Sequence, residues 1–324
     1  MSYKCQNCDA ELRYIENDNI WVCDYCRSKF NNIESNDFKI YTCEKCKLEF
    51  ISNQDISRCI HCNNKLSSKE LKNNFNIESY LPYKIDKETA IKKYRNLCNS
   101  NIFNIVKFRN NKTIKKIIGV YIPVIISNYN GNGEINSEVK SISKWKSGNY
   151  NYKKTDLYNV FRGGTMCLEN IPISCNNKIK DDIIEELHPY NYKESKKFNF
   201  TSSTDFIFYK PNIEIENIKK DSISKAQNIF VDILKSDITG YTDIKIKDKK
   251  INLNNTDMKL VLLPTWLIKF KYKKNIYKFY INGQTGEISG SIPKSKFRII
   301  SIWLTLFIIF SFIMFLLEYL KVIK

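Results

Sequence analysis

From Asp86 to about Asn99 the apolar residues Ala90, Ile91, Tyr94, Leu97 and Cys98 fall on one face at helical spacing, and Asp86 is placed to cap the first turn. A second helix is expected from Asp221 or Ser222, with Ile223, Ala226, Phe230, Ile233 and Leu234 as its apolar stripe. A shorter one is expected over 180–187. Strand-like runs follow both long helices. GVYIPVIISNYNGNGEI (119–135) and LVLLPTWLIKFKY (260–272), the latter leading to YINGQTGEI (280–288), each pass from an apolar stretch through Pro123 or Pro264 to a Gly-containing turn. That recurrence predicts a duplicated helix-plus-sheet unit. Further strand-like segments surround Phe161-Arg162-Gly163-Gly164 within 139–175. The pattern predicts an α+β body over 80–292.

One run breaks with this alternation. Ile299 to Leu317 holds no charged residue, a length that at 1.5 Å per residue crosses a hydrocarbon core of roughly 30 Å. Trp303 and Tyr319 lie near its ends, where aromatic side chains favour the membrane interface. The segment 297–320 is therefore expected to be a single transmembrane helix. Lys294, Lys296 and Arg298 precede it, whereas Lys321 and Lys324, offset by Glu318, follow it. Positive charge collects on the cytoplasmic side, so the N-terminal bulk is expected in the cytoplasm at the cell membrane. Met1 to Cys8 is polar and lacks the pattern of a secretory signal, which adds to that expectation.

Before Tyr80 the cysteines organise the chain. They fall as Cys5-x-x-Cys8, Cys23-x-x-Cys26, Cys43-x-x-Cys46 and Cys59-x-x-Cys62. Two thiolates two residues apart can face one ion while a tight turn aims N–H groups at the sulfurs, and two such knuckles complete a tetrahedron. Two tandem four-cysteine zinc ribbons are predicted, at 1–34 and 35–70, followed by a linker at 71–79, with two structural Zn2+ ions. In the first ribbon Leu12, Tyr14, Ile20 and Val22 are the expected apolar residues of a hairpin turning at Glu16-Asn17-Asp18-Asn19. The fourth residue after each knuckle is large and apolar: Leu12, Phe30, Phe50 and Leu66. Such residues can cover metal sites in a domain too small for another core. His61, inside the last knuckle, is a possible ligand that the full cysteine set makes redundant.

Charge narrows the partners. The chain carries 52 Lys and Arg against 34 Asp and Glu, a formal +18. Only seven of the basic residues are Arg, and the wealth of Lys, Asn and Ile reads as a coding bias rather than a nucleic-acid signature. Residues 1–70 hold ten basic and eleven acidic residues. Each tetrathiolate site adds about two further negative charges, so the ribbons are poor phosphate binders. The surplus of positive charge belongs to the remainder of the chain.

Catalytic signals are sparse. Asn282-Gly-Gln-Thr-Gly286 lacks the lysine and length of a phosphate-binding loop and reads as strand–turn–strand. Asp181, Asp182, Glu185, Glu186 and His188 could ligate a metal, yet acids near a helix N-terminus are commonly just solvated. Cys98 reads as core, and Cys167 and Cys175 show no pairing. His61 and His188 are the two histidines, and no nucleophile–base–acid set suggests itself. The expectation is that the chain is not an enzyme.

After the double ribbon come YLPYKIDKETA (80–90), GVYIPV (119–124), KWKSGNY (144–150), FRGGT (161–165), LLPTW (262–266) and NGQTGE (282–287). With these motifs in this order, nearly the whole chain resembles the bacterial zinc-ribbon proteins of low-GC Gram-positives, often labelled TFIIB-type zinc ribbon-containing. The resemblance implies zinc binding and says little about activity. The family's knuckles typically read Cys-Pro-x-Cys-Gly, whereas Asp9, Arg27, Lys47 and Asn63 stand at the glycine position here. Strained turns are the expected consequence. The functional expectation is a membrane-anchored cytosolic binding module that docks a protein partner. The alternative is a nucleic-acid-binding protein at the membrane, associated with transcription or replication and using the basic body.

Overall fold

The computed structural model describes residues 12–15, 20–30, 38–71, 77–109, 117–198, 207–273 and 275–322. Cys5, Cys8 and the turn at 16–19 lie outside them. Strands β1 (Leu12–Ile15), β2 (Ile20–Cys23) and β3 (Lys29–Phe30) form a small antiparallel sheet. Its register pairs Leu12 with Cys23 and Tyr14 with Trp21. Side chains alternate along a strand, so an inward Cys23 carries Trp21 inward with it. Trp21 is accordingly buried, its ring 5.1 Å from that of Tyr14, and Val22, an expected apolar residue of the hairpin, is only half-buried.

The chain continues through β4 (Lys39–Cys43), β5 (Glu49–Ser52), β6 (Leu66–Glu70) and β7 (Ser79–Tyr80) to helix α1 (Lys87–Asn99). Two very long strands follow, β8 (Ile118–Ser147) and β9 (Tyr150–Ser174), then α2 (Asp181–Leu187), β10 (Lys196–Lys197) and β11 (Ile207–Tyr209). Helix α3 (Ile215–Ser236), β12 (Asp243–Tyr272), β13 (Asn275–Asn282), β14 (Ile288–Ser289) and α4 (Lys296–Val322) complete it. Mixed α+β class is what the periodicities predicted. The chain divides into two compact units, one of 1–82, 120–185 and 191–264, the other of 83–119, 186–190 and 265–324.

In the first unit the strands run in the order β10-β7-β12-β8-β11-β5-β4-β6. The second ribbon is thus joined to body strands. β5 pairs antiparallel with β11, placing Ile51 opposite Phe208, and β11 pairs parallel with β8 at Phe208 and Tyr121. Leu48, Phe50, Ile51, Phe208 and Tyr209 are all fully buried, so the ribbon shares its core with the body. A Lys210–Glu49 ion pair at 2.7 Å closes that seam.

Strands β8 and β9 form one hairpin from Val124–Ser174 to Ser147–Tyr150, its register shifted once between Ser127 and Tyr129. Its turn is at Gly148, where φ is +60°. The Gly-containing turn expected near 130–133 is absent, because β8 runs straight through it. Those glycines serve close approach instead. A Cβ on Gly131 would collide with the Asn252 carbonyl oxygen, and one on Gly133 with Ile251 Cδ1 and the Phe230 ring. Helix α3 lies on this hairpin, burying Ala226, Phe230, Val231 and Leu234 against Tyr129, Ile135, Val139, Leu168 and Ile171. It begins at Ile215, several residues before the expected Asp221 or Ser222. The apolar face extends back one further turn: Ile218 packs with Ile125, Ile173 and Cys175. Phe230→Ala empties the centre of this contact. We expect a loss of about 3–5 kcal/mol, measurable as a fall in the denaturation midpoint.

The second unit packs α1 on the end of β12 and on β13. Asp86 caps α1 as expected, accepting the Thr89 N–H at 2.9 Å. Ala90, Tyr94 and Cys98 are buried with Phe108, Ile268, Phe279 and Ile281. The two sequence blocks therefore exchange partners: each long helix packs on the hairpin that follows the other. α4 projects an exposed apolar surface along its length and is long and apolar enough to cross a membrane.

Candidate metal centre

Backbone geometry builds the site before any thiol is considered. In the second ribbon the N–H of Lys47 donates to the Cys43 carbonyl at 2.9 Å, and that of Cys43 to Leu48 at 2.9 Å. The same two bonds recur from Asn63 to Cys59 and from Cys59 to Asn64, both 2.9 Å. They recur again from Arg27 to Cys23 and from Cys23 to Ser28, at 2.8 and 3.0 Å. Each turn closes through a left-handed residue, with φ of +59° at Arg27, +54° at Lys47 and +64° at Asn63. Glycine reaches that region without steric cost. A side chain there costs roughly 1–2 kcal/mol, least for Asn. Lys47→Gly is expected to stabilise the second ribbon by about 1 kcal/mol, seen as a higher unfolding midpoint with zinc content unchanged.

Cys43, Cys46, Cys59 and Cys62 converge, with all four sulfurs within 4.8 Å of one another. Cys43 Sγ lies 3.3 Å from Cys62 Sγ, and Cys46 Sγ lies 3.7 Å from Cys59 Sγ. A tetrahedron with Zn–S bonds of about 2.3 Å has sulfurs about 3.8 Å apart, so these positions fit one zinc ion. The His61 N–H donates to Cys59 Sγ at 3.3 Å, an N–H···S bond that steadies a thiolate ligand. His61 thus contributes its backbone N–H to the knuckle, and the ligand set is complete without its ring. Cys43 and Cys59 are buried, whereas Cys46 and Cys62 are half-buried. Four such ligands leave no open coordination position, the arrangement of a structural rather than a catalytic zinc.

The electrostatics call for a cation. Burial raises the Cys43 thiol, but hydrogen bonds from the Cys46 and Lys45 N–H groups and from neighbouring thiols outweigh it, leaving Cys43 at about 7. Burial dominates at Cys46 and Cys59 and pushes both upward. Four crowded thiols cannot all ionise unaided, and a divalent ion replaces the missing protons. Metal binding releases protons, so occupancy must fall as pH falls. Zinc retention measured by equilibrium dialysis should decline on acidification, and oppositely signed dependence would be incompatible with thiolate ligation.

In the first ribbon Cys23 is buried, Cys26 is exposed and receives a 3.0 Å contact from Ser28 Oγ, and the Cys26 N–H approaches Cys23 Sγ at 3.5 Å. This is half of a site, with the Cys5 and Cys8 half outside the described residues. Of the residues expected to cover the metals, Leu12 and Phe50 are buried, while Leu66 is half-exposed. Leu48, which sequence reading passed over, is fully buried beside the second site. Spacing gave no signal for it: the Leu48 carbonyl closes its knuckle as those of Ser28 and Asn64 close theirs, whatever the side chain.

A curated protein shares this chain's sequence at a distance. The uncharacterized protein YdjG of Bacillus subtilis (strain 168) is 27% identical over 219 residues, which is 68% of this chain and 64% of YdjG. The chain is thus a distant homologue of YdjG and matches somewhat under two-thirds of its length. No protein-family model matches the chain, and no solved structure matches it.

The other candidates go separate ways. Asp181 Oδ1 accepts the Ser174 N–H at 2.7 Å, and burial raises its carboxyl above the usual range. Glu185 pairs with Lys225 at 2.7 Å, and Asp182 and Glu186 are exposed. His188 meets Tyr190 edge-on with ring centres 5.5 Å apart. Among the described residues, the four cysteines are the group of metal-binding side chains brought within ligand distance. Cys98 is core, its Sγ 3.8 Å from the Phe108 carbonyl, while Cys175 is buried and Cys167 exposed. Asn282 organises the turn that follows it: its Oδ1 accepts from Gln284 and Thr285, and its Nδ2 donates to the Leu187 and Pro189 carbonyls.

Proposed function

We propose that this chain is a membrane-anchored cytosolic zinc-ribbon protein that acts, without catalysis, as a docking module for a protein partner. The observation that carries the reading is the far part of the β8–β9 hairpin. It exposes Trp145, Tyr150, Tyr152, Leu157, Tyr158 and Phe161 along a two-stranded ribbon. Exposed aromatic surface on this scale marks interaction sites, and Tyr, Trp and Phe are the residues that interfaces favour. The closed thiolate site supports the same reading, because its zinc would hold structure and present no reactive position. The second ribbon fits this role as a brace: β4 is paired on both edges and β5 is shared with β11.

α4 supplies the anchor in this reading, and Lys294, Lys296 and Arg298 set its N-terminal end in the cytoplasm. Photo-crosslinking amino acids at Leu157 and Phe161, activated in intact membranes, test the docking surface. A discrete crosslinked protein supports it, and labelling by lipid or water alone at both positions overturns it. Crosslinked nucleic acid would instead select the second reading. One observation favours that alternative: Trp145 stacks on Tyr152 with 5.4 Å between centres, flanked by Lys144, Lys146, Lys153 and Lys154. We expect only weak, sequence-blind oligonucleotide binding that disappears near physiological ionic strength. Tight, sequence-selective binding at that salt would displace the protein-docking reading.

A further inference from the structure

In the second unit the segment just before α4 is fastened to the loop after α1. The Ser295 N–H donates to the Phe103 carbonyl at 2.7 Å, and that of Ile105 to Pro293 at 3.3 Å. Ser295 Oγ also caps the helix by accepting the Arg298 N–H at 3.3 Å. From the first turn of α4, Arg298 Nη1 reaches back and donates to the Ile102 carbonyl at 2.8 Å, with the Asn104 carbonyl at 3.5 Å. The loop is held equally firmly on its inner side. Asn104 Nδ2 donates to the Leu97 carbonyl at 3.2 Å, and Phe108 is enclosed by Phe270, Tyr272, Tyr277 and Phe279.

A loop so tightly held still turns apolar residues outward. Ile102 is 63% exposed and Val106 47%, and Phe297 in the first turn of α4 is 80% exposed. Along both segments the charge has one sign. Residues 100–109 and 290–298 contain Lys107, Arg109, Lys294, Lys296 and Arg298 and no Asp or Glu. Exposed apolar residues on firmly held segments whose charges are all cationic have the composition of elements that lie in the headgroup layer of anionic membranes.

We propose that Ile102–Arg109 is a membrane-seating collar, in which Ile102 and Val106 enter the lipid interface beside the first turn of α4 and the surrounding cations hold anionic headgroups. The proposal rests on the reading of α4 as a membrane span. Its warrant is continuity. The uncharged run begins at Ile299, directly after Arg298, so in a spanning helix Arg298 must lie at headgroup depth. A group hydrogen-bonded to its guanidinium at 2.8 Å must lie at nearly the same depth. Ile102 then has lipid as its neighbour, and its exposed side chain reaches the zone about 5–10 Å into the headgroup–acyl boundary that interfacial elements occupy. The loop would thereby orient its own unit on the bilayer, adding a second contact to the single span.

The test uses the full chain in nanodiscs, with a small fluorescent amino acid at Ile102, at Val106 or, as span reference, at Phe310. The lipids carry bromine quenchers either near the glycerol end or near the methyl end of the acyl chains. Positions 102 and 106 should be quenched mainly by the shallow bromines, Phe310 mainly by the deep ones. Replacing phosphatidylcholine in part by phosphatidylglycerol should deepen quenching at 102 and 106 at low salt. Two labelled sites guard against local damage from either replacement. If Phe310 is quenched and neither 102 nor 106 is, the collar is overturned and the span stands. If none of the three is quenched, the span reading falls and the collar with it.

Discussion

Cys59→Ser should remove one zinc ion per chain and unfold the second ribbon. Cys59 is the buried ligand at the start of the last knuckle, its sulfur 3.7 Å from Cys46 and receiving the His61 N–H at 3.3 Å. A serine hydroxyl stays protonated near neutral pH and is a poor partner for zinc, so the ion loses its fourth strong ligand. Structural zinc contributes about 10–16 kcal/mol of apparent binding free energy in isolated fingers. That is comparable to the total stability of most domains, roughly 5–15 kcal/mol, so β4 and β6, which lack the pairing of β5 with β11, should loosen first without it. Amide exchange should accelerate there and spread to β11, which pairs with β5 through Ile207–Tyr209. Elemental analysis of the unaltered chain should find about two ions, the variant about one. A single ion in the unaltered chain would remove the expected first site. An unchanged content in Cys59→Ser would remove the second.

Truncation after Ile300 should move the protein from the membrane pellet to the supernatant. Between Ile299 and Leu317 stand fourteen Ile, Leu and Phe residues, each favouring the bilayer by about 0.3–0.6 kcal/mol on an insertion scale, or roughly 4–8 kcal/mol together. The cut at 300 retains Arg298 and its bond to Ile102, so the loop after α1 keeps its tie. Ile308→Arg with Ile309→Arg offers an independent check. Two arginines at mid-span cost about 5–7 kcal/mol and cancel most of the gain. Sedimentation after carbonate washing reads both. Retention of the truncated chain in washed membranes would show that α4 is not the anchor.

The elements that sequence reading placed well are those whose signal is local. Asp86 and the apolar stripe of α1 were legible because a cap and a helical period lie within a few residues of one another. The knuckle at Cys59-x-x-Cys62 was legible for the same reason, since two ligands and the turn between them fall within one short stretch. Where the signal is a distant contact, the reading slipped. Asn130–Gly133 looks like a turn until Phe230 and Ile251 are seen to need the space that side chains there would fill. Ile218 falls before the expected helix start at Asp221 or Ser222, because the residues that bury it, Ile125 and Ile173, are far away in the chain. Trp21 is inward because β2 turns Cys23 inward and side chains alternate along the strand, which hydrophobicity alone does not show.

By itself the sequence determined the four cysteine pairs, the uncharged run at 299–317, the α+β class and the excess of lysine, since each is a property of composition or short spacing. Only the tertiary structure decided which helix packs on which hairpin, that β5 joins the second ribbon to β11, and that Cys43, Cys46, Cys59 and Cys62 close on one point. It also decided that Arg298 would bind the Ile102 carbonyl across almost two hundred residues of chain. The physical reason is that apolar faces carry no address. Ala90 and Tyr94 could cover either hairpin by hydrophobicity, and only the packed structure sets them against Phe279 and Ile281. Thiolates differ, because two Cys-x-x-Cys pairs within one short stretch name the ligands in advance, while the fold brings their sulfurs together.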